Sequence, residues 1–280
     1  MGIVAFLKRG YDYVRHGIPT NYTTVTVKEM SPSNVLEGKN IIITGGSRGL
    51  GYYIAKRCIS EGAKVLITGR NEENLKRAAE EIGPNCVWVC FDVQDVKGIP
   101  QFLNKATEIF GGQKIHCLVS NAGISLHEGN FRNVTENGWN RQMDTNLKGN
   151  YFLVKEFIQY LETHEDKSGN IVVISSERSH RADDIPYGLT KVATNSFVQC
   201  FASKVIEHGI RINAVAPGVT ASDMTGWDRN ENMYAAWQPE KRIFIPEEVA
   251  EVVNFLLSDA SRCISGEIIT CNQGRHISHW

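Results

Sequence analysis

The chain reads as a doubly wound α/β domain, a seven-stranded parallel sheet with helices on both faces. Two observations predict this. Short apolar runs alternate with helical stretches all along residues 39–280, and no linker interrupts them. The runs are continuously apolar rather than alternating, as strands buried on both faces must be. Alternation of this kind makes a parallel sheet covered by crossover helices.

In order, the strands are IIIT (41–44), KVLIT (64–68), CVWVCF (86–91), HCLVS (116–120), NIVVIS (170–175), RINAVA (211–216) and EIIT (267–270). Helical sequence falls between them, as in GYYIAKRCISEG after the first and NEENLKRAAEEIG (71–83) after the second. Cys86, Trp88 and Cys90 alternate onto one strand face and are expected in the core.

Residues 1–37 read differently, as an N-terminal extension to a single domain at 38–280. Ile3, Val4, Phe6, Leu7, Tyr11 and Val14 sit at roughly helical spacing, TTVTV (23–27) alternates like a short strand, and Ser31–Asn34 reads as a linker. The segment is too aromatic for disorder and too interrupted, at Gly10, Gly17 and Pro19, for strong interfacial anchoring. It is expected to pack on the domain or on a neighbouring subunit.

Thirty basic residues against thirty-one acidic ones leave a formal charge of -1, which gives no pull toward nucleic acid or an anionic membrane. No apolar run reaches the ~20 residues that span a bilayer. Seven cysteines without metal spacing fit a reducing compartment. A cytoplasmic protein without stable membrane insertion is expected. His276 and His279 lack supporting carboxylate or Cys spacing, so no metal is expected.

The first strand runs into Thr44-Gly45-Gly46-Ser47-Arg48-Gly49-Leu50-Gly51, and a helix follows. Glycines there permit a tight turn and let backbone N–H groups approach a pyrophosphate at the helix N-terminus. The loop resembles the TGxxxGxG motif of the short-chain dehydrogenase/reductases, whose domain is of Rossmann type. The resemblance continues in register through Asp92-Val93, Asn121-Ala122-Gly123, Trp139–Phe152, Tyr187-xxx-Lys191 and Asn213–Gly218. It covers about 39–275, and its tone is closest to the 3-oxoacyl-carrier-protein reductases.

That resemblance implies a cofactor held by Gly45, Ser47, Arg48, Gly49, Leu50, Gly51, Arg70, Asp92, Val93, Asn121, Ala122, Gly123, Tyr187, Lys191, Pro217, Gly218, Val219, Thr220 and Ser222. It implies catalysis by Asn146, Ser176, Tyr187 and Lys191. Tyr187 is the acid/base; Lys191, on the same helix face, favours the tyrosinate and holds the nicotinamide ribose. Asn146 supports a water-linked proton path to Lys191. The substrate-orienting Ser normally stands thirteen residues before the Tyr; here that position is Ile174, so the loop is two residues short and Ser176, or else Ser175, takes the role. Where an acidic residue would hold the ribose 2′-hydroxyl of NAD, the chain has Thr68-Gly69-Arg70-Asn71. Arg70 and Arg48 suit a 2′-phosphate, so NADPH/NADP is the expected cofactor.

The expected activity is NADPH-dependent reduction of a carbonyl to a secondary alcohol, or the reverse. An oxidative NAD(P)-dependent alcohol dehydrogenase for a sugar or sterol is the rival, and a silent nucleotide-binding regulator the rival from another class. The charged loop Glu177–Asp184 is either solvated or set against a polar substrate. Met224, Trp227, Tyr234 and Trp237 form a lid or belong to core and subunit contacts. Asn272-Gln273-Gly274 departs from the family's Asp-Gly-Gly at the C-terminal edge. A homodimer or homotetramer is expected, paired through the helix ending near Thr163 and the one opening at Tyr187, whose Val192, Phe197, Val198, Phe201 and Val205 serve either that contact or the core.

Overall fold

A computed structural model describes residues 34–227, 233–235, 237–239 and 241–277. Most of the N-terminal extension, and His279, lie outside the described residues. The domain alternates β1 (Asn40–Thr44), α1 (Gly49–Ser60), β2 (Lys64–Gly69), α2 (Glu72–Ile82), β3 (Cys86–Cys90), α3 (Ile99–Ile109), β4 (Cys117–Ser120), α4 (Glu136–Gln142), α5 (Asn150–Glu162), β5 (Gly169–Ile174), α6 (Pro186–Val205), β6 (Ile210–Pro217), α7 (Pro246–Leu257) and β7 (Ile268–Cys271). All seven strands run parallel in the order β3-β2-β1-β4-β5-β6-β7. The order reverses between β1 and β4, and at such a switch point ligands bind outside the carboxyl ends of the strands.

Residues one apart on a strand serve opposite layers, which is why the strand sequences are apolar throughout. Ile41 and Ile43 join α1, α2 and α7 in one buried layer, around Ile54, Leu75 and Val253. Ile42 faces α3, α5 and α6, around Phe102, Phe157 and Val198. Fully burying such a side chain contributes about 1.5–3 kcal/mol. Leu36 is fully buried in the first layer, and its N–H donates to the Glu61 carbonyl at 3.0 Å.

One expectation needs correction. Cys86 is buried, but Cys90 is exposed, because β3 is an edge strand and Cys90 is its last residue. Trp139–Phe152 is not one regular helix: Met143–Gly149 is a π-helical stretch between α4 and α5. The Asn150 side chain there donates to the carbonyls of Ala122, Thr145 and Asn146 at 2.9–3.0 Å, the kind of insertion that widens a helical turn. On α6, Phe197, Val198 and Val205 belong to the monomer core, which leaves Val192 at the surface.

Candidate functional site

The loop between β1 and α1 is a cradle shaped by what a side chain would strike. Gly45 and Gly49 adopt φ of +65° and +54°, where only glycine is unstrained. A Cβ on Gly51 would stand 2.4 Å from the Gly45 carbonyl oxygen. Asn121, at the end of β4, donates its side-chain amide to the carbonyls of Thr44 and Gly45 at 2.8 and 3.1 Å. The Thr44 hydroxyl accepts the N–H groups of Asn121 and Ala122, both at 3.0 Å. Helix α1 has no acidic residue in its first turn, and Arg48 at its N-cap makes no side-chain hydrogen bond to the helix. Its amino end is therefore a cradle suited to an anionic group.

Around the cradle the expected residues are distributed unevenly. Ser47 lies beside Gly69, and Leu50 packs on the α1 layer. Arg70 is exposed at the end of β2. Arg48 pairs with Asp223 at 3.0 Å, the two side chains 73% and 71% exposed. Asp92 accepts the Gln94 N–H at 3.0 Å, whereas Val93 turns its side chain into the core. Where β6 ends, Pro217 and Gly218 are buried; Val219 accepts the Phe244 N–H at 3.1 Å, and Thr220 donates its hydroxyl to the Gly218 carbonyl at 3.0 Å. Ser222 and Arg48 help wall a groove of about 700 Å³ with Tyr52, Tyr53 and Trp227. The groove flanks the cradle, and neither Tyr187 nor Lys191 lines it.

The residues expected to be catalytic meet where β5 ends and α6 begins. Lys191 Nζ stands 5.6 Å from the centre of the Tyr187 ring and donates to the Ile174 carbonyl at 2.7 Å. Burial pushes its ammonium down to about 8. Burial also pushes the Tyr187 phenol above its ordinary value, while the hydrogen bond from Ser176 and the positive charge of Arg178 pull it back. Ser175 points elsewhere, donating to Asn195 Oδ1 at 2.6 Å. Of the two serines, Ser176 is therefore the one on the phenol. Asn146, fully buried, accepts the Ile124 N–H and donates to the Ile124 carbonyl, both at 2.8 Å. A Cβ on Gly123 would lie 3.5 Å from Asn146 Oδ1 and 3.9 Å from Lys191 Nζ, so the three sit together.

Sequence reasoning missed the inward pairing of the loop between Ser176 and Tyr187. It is not merely solvated. Arg178 forks onto Asp183, whose side chain is 1% exposed. Glu177 accepts from Asn272 at 3.0 Å and Arg275 at 2.8 Å, so the departure at Asn272 serves to tie the C-terminal edge to this loop. Arg275 also lies 4.5 Å over the Trp237 ring. The density of charge in 177–184 was the available signal, and it does not distinguish paired from hydrated groups. Among the described residues no His, Cys, Asp and Glu cluster has metal-binding form, and no helix is long and apolar enough to cross a membrane.

A family model described as enoyl-(acyl carrier protein) reductase matches residues 45–276. A versicolorin reductase of Emericella nidulans is 32% identical over 264 residues, covering 85% of this chain and 96% of that protein. A 3-oxoacyl-[acyl-carrier-protein] reductase of Vibrio cholerae is 31% identical, over 86% and 99% of the two chains. The crystal structure of a 3-ketoacyl-(acyl-carrier-protein) reductase from Brucella melitensis complexed with NADH superposes with a TM-score of 0.79 at 28% identity, covering 86% of this chain and all of that one. With its glycine cradle, its parallel sheet and this match across most of its length, the chain belongs to the short-chain dehydrogenase/reductase family of oxidoreductases.

Proposed function

We propose that the chain is a cytoplasmic NADPH-dependent reductase that converts a small-molecule carbonyl to a secondary alcohol, or runs the reverse, with Tyr187 as its general acid/base. The observation that carries this reading is the meeting of Ser176, Tyr187, Lys191 and Asn146 beside the glycine cradle. The nicotinamide, when bound, supplies the hydride.

The chain's own groups then handle the proton and the orientation. Hydride arrival leaves an alkoxide, and the Tyr187 O–H is the donor for it. A free phenol ionises near ~10, so its cycling needs stabilisation of the tyrosinate, for which Ser176 donates a hydrogen bond and Arg178 and Lys191 carry positive charge. Ser176 orients the substrate oxygen against the phenol. Lys191, held on the Ile174 carbonyl, also binds the nicotinamide ribose. Asn146 braces the loop at Ile124 and supports a water-linked path by which Lys191 is reprotonated. Arg48 and Arg70 receive the 2′-phosphate, since β2 ends on Gly69 and Arg70 with no carboxylate. Relatives named as reductases support the reductive direction.

The test is turnover of NADPH with a panel of ketones, followed by its absorbance. Tyr187→Phe removes the proton donor and little of the cradle. We expect it to lower kcat by about 10²–10⁴-fold while NADPH affinity, read by fluorescence, stays near wild type. A variant that keeps the wild-type rate removes Tyr187 from the acid/base role.

A further inference from the structure

We infer that Arg178 is a positioning residue for Tyr187: its fork with Asp183 fixes where the loop delivers the first turn of α6, and hence where the phenol meets Ser176. The inference rests on the acid/base reading above and adds a residue to it.

Four contacts converge on this pair. Arg178 donates through Nε and, at 2.6 Å, through Nη2 to the two oxygens of the same carboxylate. Such planar two-point pairs fix orientation as well as distance. Asp183 Oδ1 also accepts the N–H of Ile185 at 3.2 Å, and Ile185 is the N-cap of α6. The helix then sits directly on the carboxylate: a Cβ on Gly188 would fall 2.1 Å from Asp183 Cγ. At the other end, the Arg178 N–H donates to Ser176 Oγ at 3.3 Å. One residue therefore touches the serine through its backbone and, by way of Asp183, holds the start of the tyrosine's helix through its guanidinium.

Charge adds to geometry. The Asp183 side chain is almost fully buried, and a buried carboxylate is tolerable when it is paired and hydrogen-bonded. Arg178 supplies that pairing and leaves its positive field on the phenol, which favours the tyrosinate; Asp183 and Glu177 oppose it. Removing the guanidinium loosens the turn and withdraws the cation together.

Three variants test the idea: Arg178→Gln, Arg178→Lys and Gly188→Ala, each checked for folding by circular dichroism. Arg178→Gln is expected to lower kcat about ten- to a hundredfold, the scale of a misplaced catalytic group, with the NADPH KM little changed. Its pH profile should move to higher pH, because the tyrosinate loses a stabilising charge. Arg178→Lys should restore the pH profile better than the rate, since an ammonium keeps the charge and loses the fork. Gly188→Ala displaces the carboxylate without removing a charge and should lower kcat too. If Arg178→Gln does not fold, Arg178→Lys and Gly188→Ala decide. Wild-type kcat in the folded variants, with Tyr187→Phe inactive, overturns the inference and leaves the proposed function standing. Should Tyr187→Phe stay active, the proposed function fails first. Tyr187 ionisation, read by ultraviolet difference spectra against Tyr187→Phe, then serves as the readout, and an unchanged value in Arg178→Gln and Arg178→Lys overturns the inference.

Discussion

Arg48 faces two competitors for its guanidinium, Asp223 across the mouth of the groove and the phosphate proposed for the cofactor. An ion pair with both partners this exposed contributes about 0–1 kcal/mol. That weak pair leaves the guanidinium available to the proposed 2′-phosphate, a dianion with more acceptor oxygens. Replacing both Arg48 and Arg70 by Ala should therefore raise the KM for NADPH well above any change for NADH. Equal changes in steady-state kinetics with the two cofactors remove the phosphate from the argument. At this scale the glycines were legible because backbone sterics leave no other residue at Gly45 or Gly51. Arg178 and Asp183 were not, since nothing local to 177–184 shows whether two charges meet or face water.

Strands were legible because each serves two buried layers and so cannot hide its apolar character. The π-helical stretch was not, because it arises where Asn150 reaches carbonyls of its own helix and of the β4 loop together, a tertiary event that leaves no periodicity behind. A second tertiary event opens the β1–β4 pairing. The Asn40 N–H donates to His116 Nδ1 at 3.0 Å, which requires that nitrogen to be unprotonated. Burial first, then Lys39 and Lys114, push the imidazole from 6.5 down to about 4, with Asp166 opposing. Between those values the unfolded chain binds a proton that the folded chain refuses, so stability falls as pH drops through that window. Thermal melts should lose Tm from pH 6.5 toward pH 4 more steeply in the wild type than in His116→Gln, whose amide oxygen can accept the same N–H. Parallel slopes in the two proteins dismiss His116 as the source.

At the scale of the molecule, α5 and α6 leave large apolar side chains exposed. Tyr151, Leu189 and Val192 are 36%, 38% and 44% exposed, while Phe197 and Val198 further along α6 close the core. A second copy is the proposed cover, giving a homodimer or homotetramer. Light scattering at micromolar concentration should return a multiple of the chain mass, and Val192→Glu should reduce it; a monomeric wild type counts against the assembly. The strand order has a further consequence, in time rather than in space. Among the described residues no strand of the sheet pairs with its neighbour through a hairpin, and β1 lies between β2 and β4. A chain emerging from the ribosome can complete β1-β2-β3 early, yet the far edge of Asn40–Thr44 stays bare until Cys117–Ser120 arrives. Non-local parallel pairing of this kind is slow and leaves sticky edges exposed meanwhile. Pulsed hydrogen exchange during refolding should protect the amides of Lys64–Gly69 before those of Ile210–Pro217, and the reverse order would mean that the nascent sheet grows from its other end.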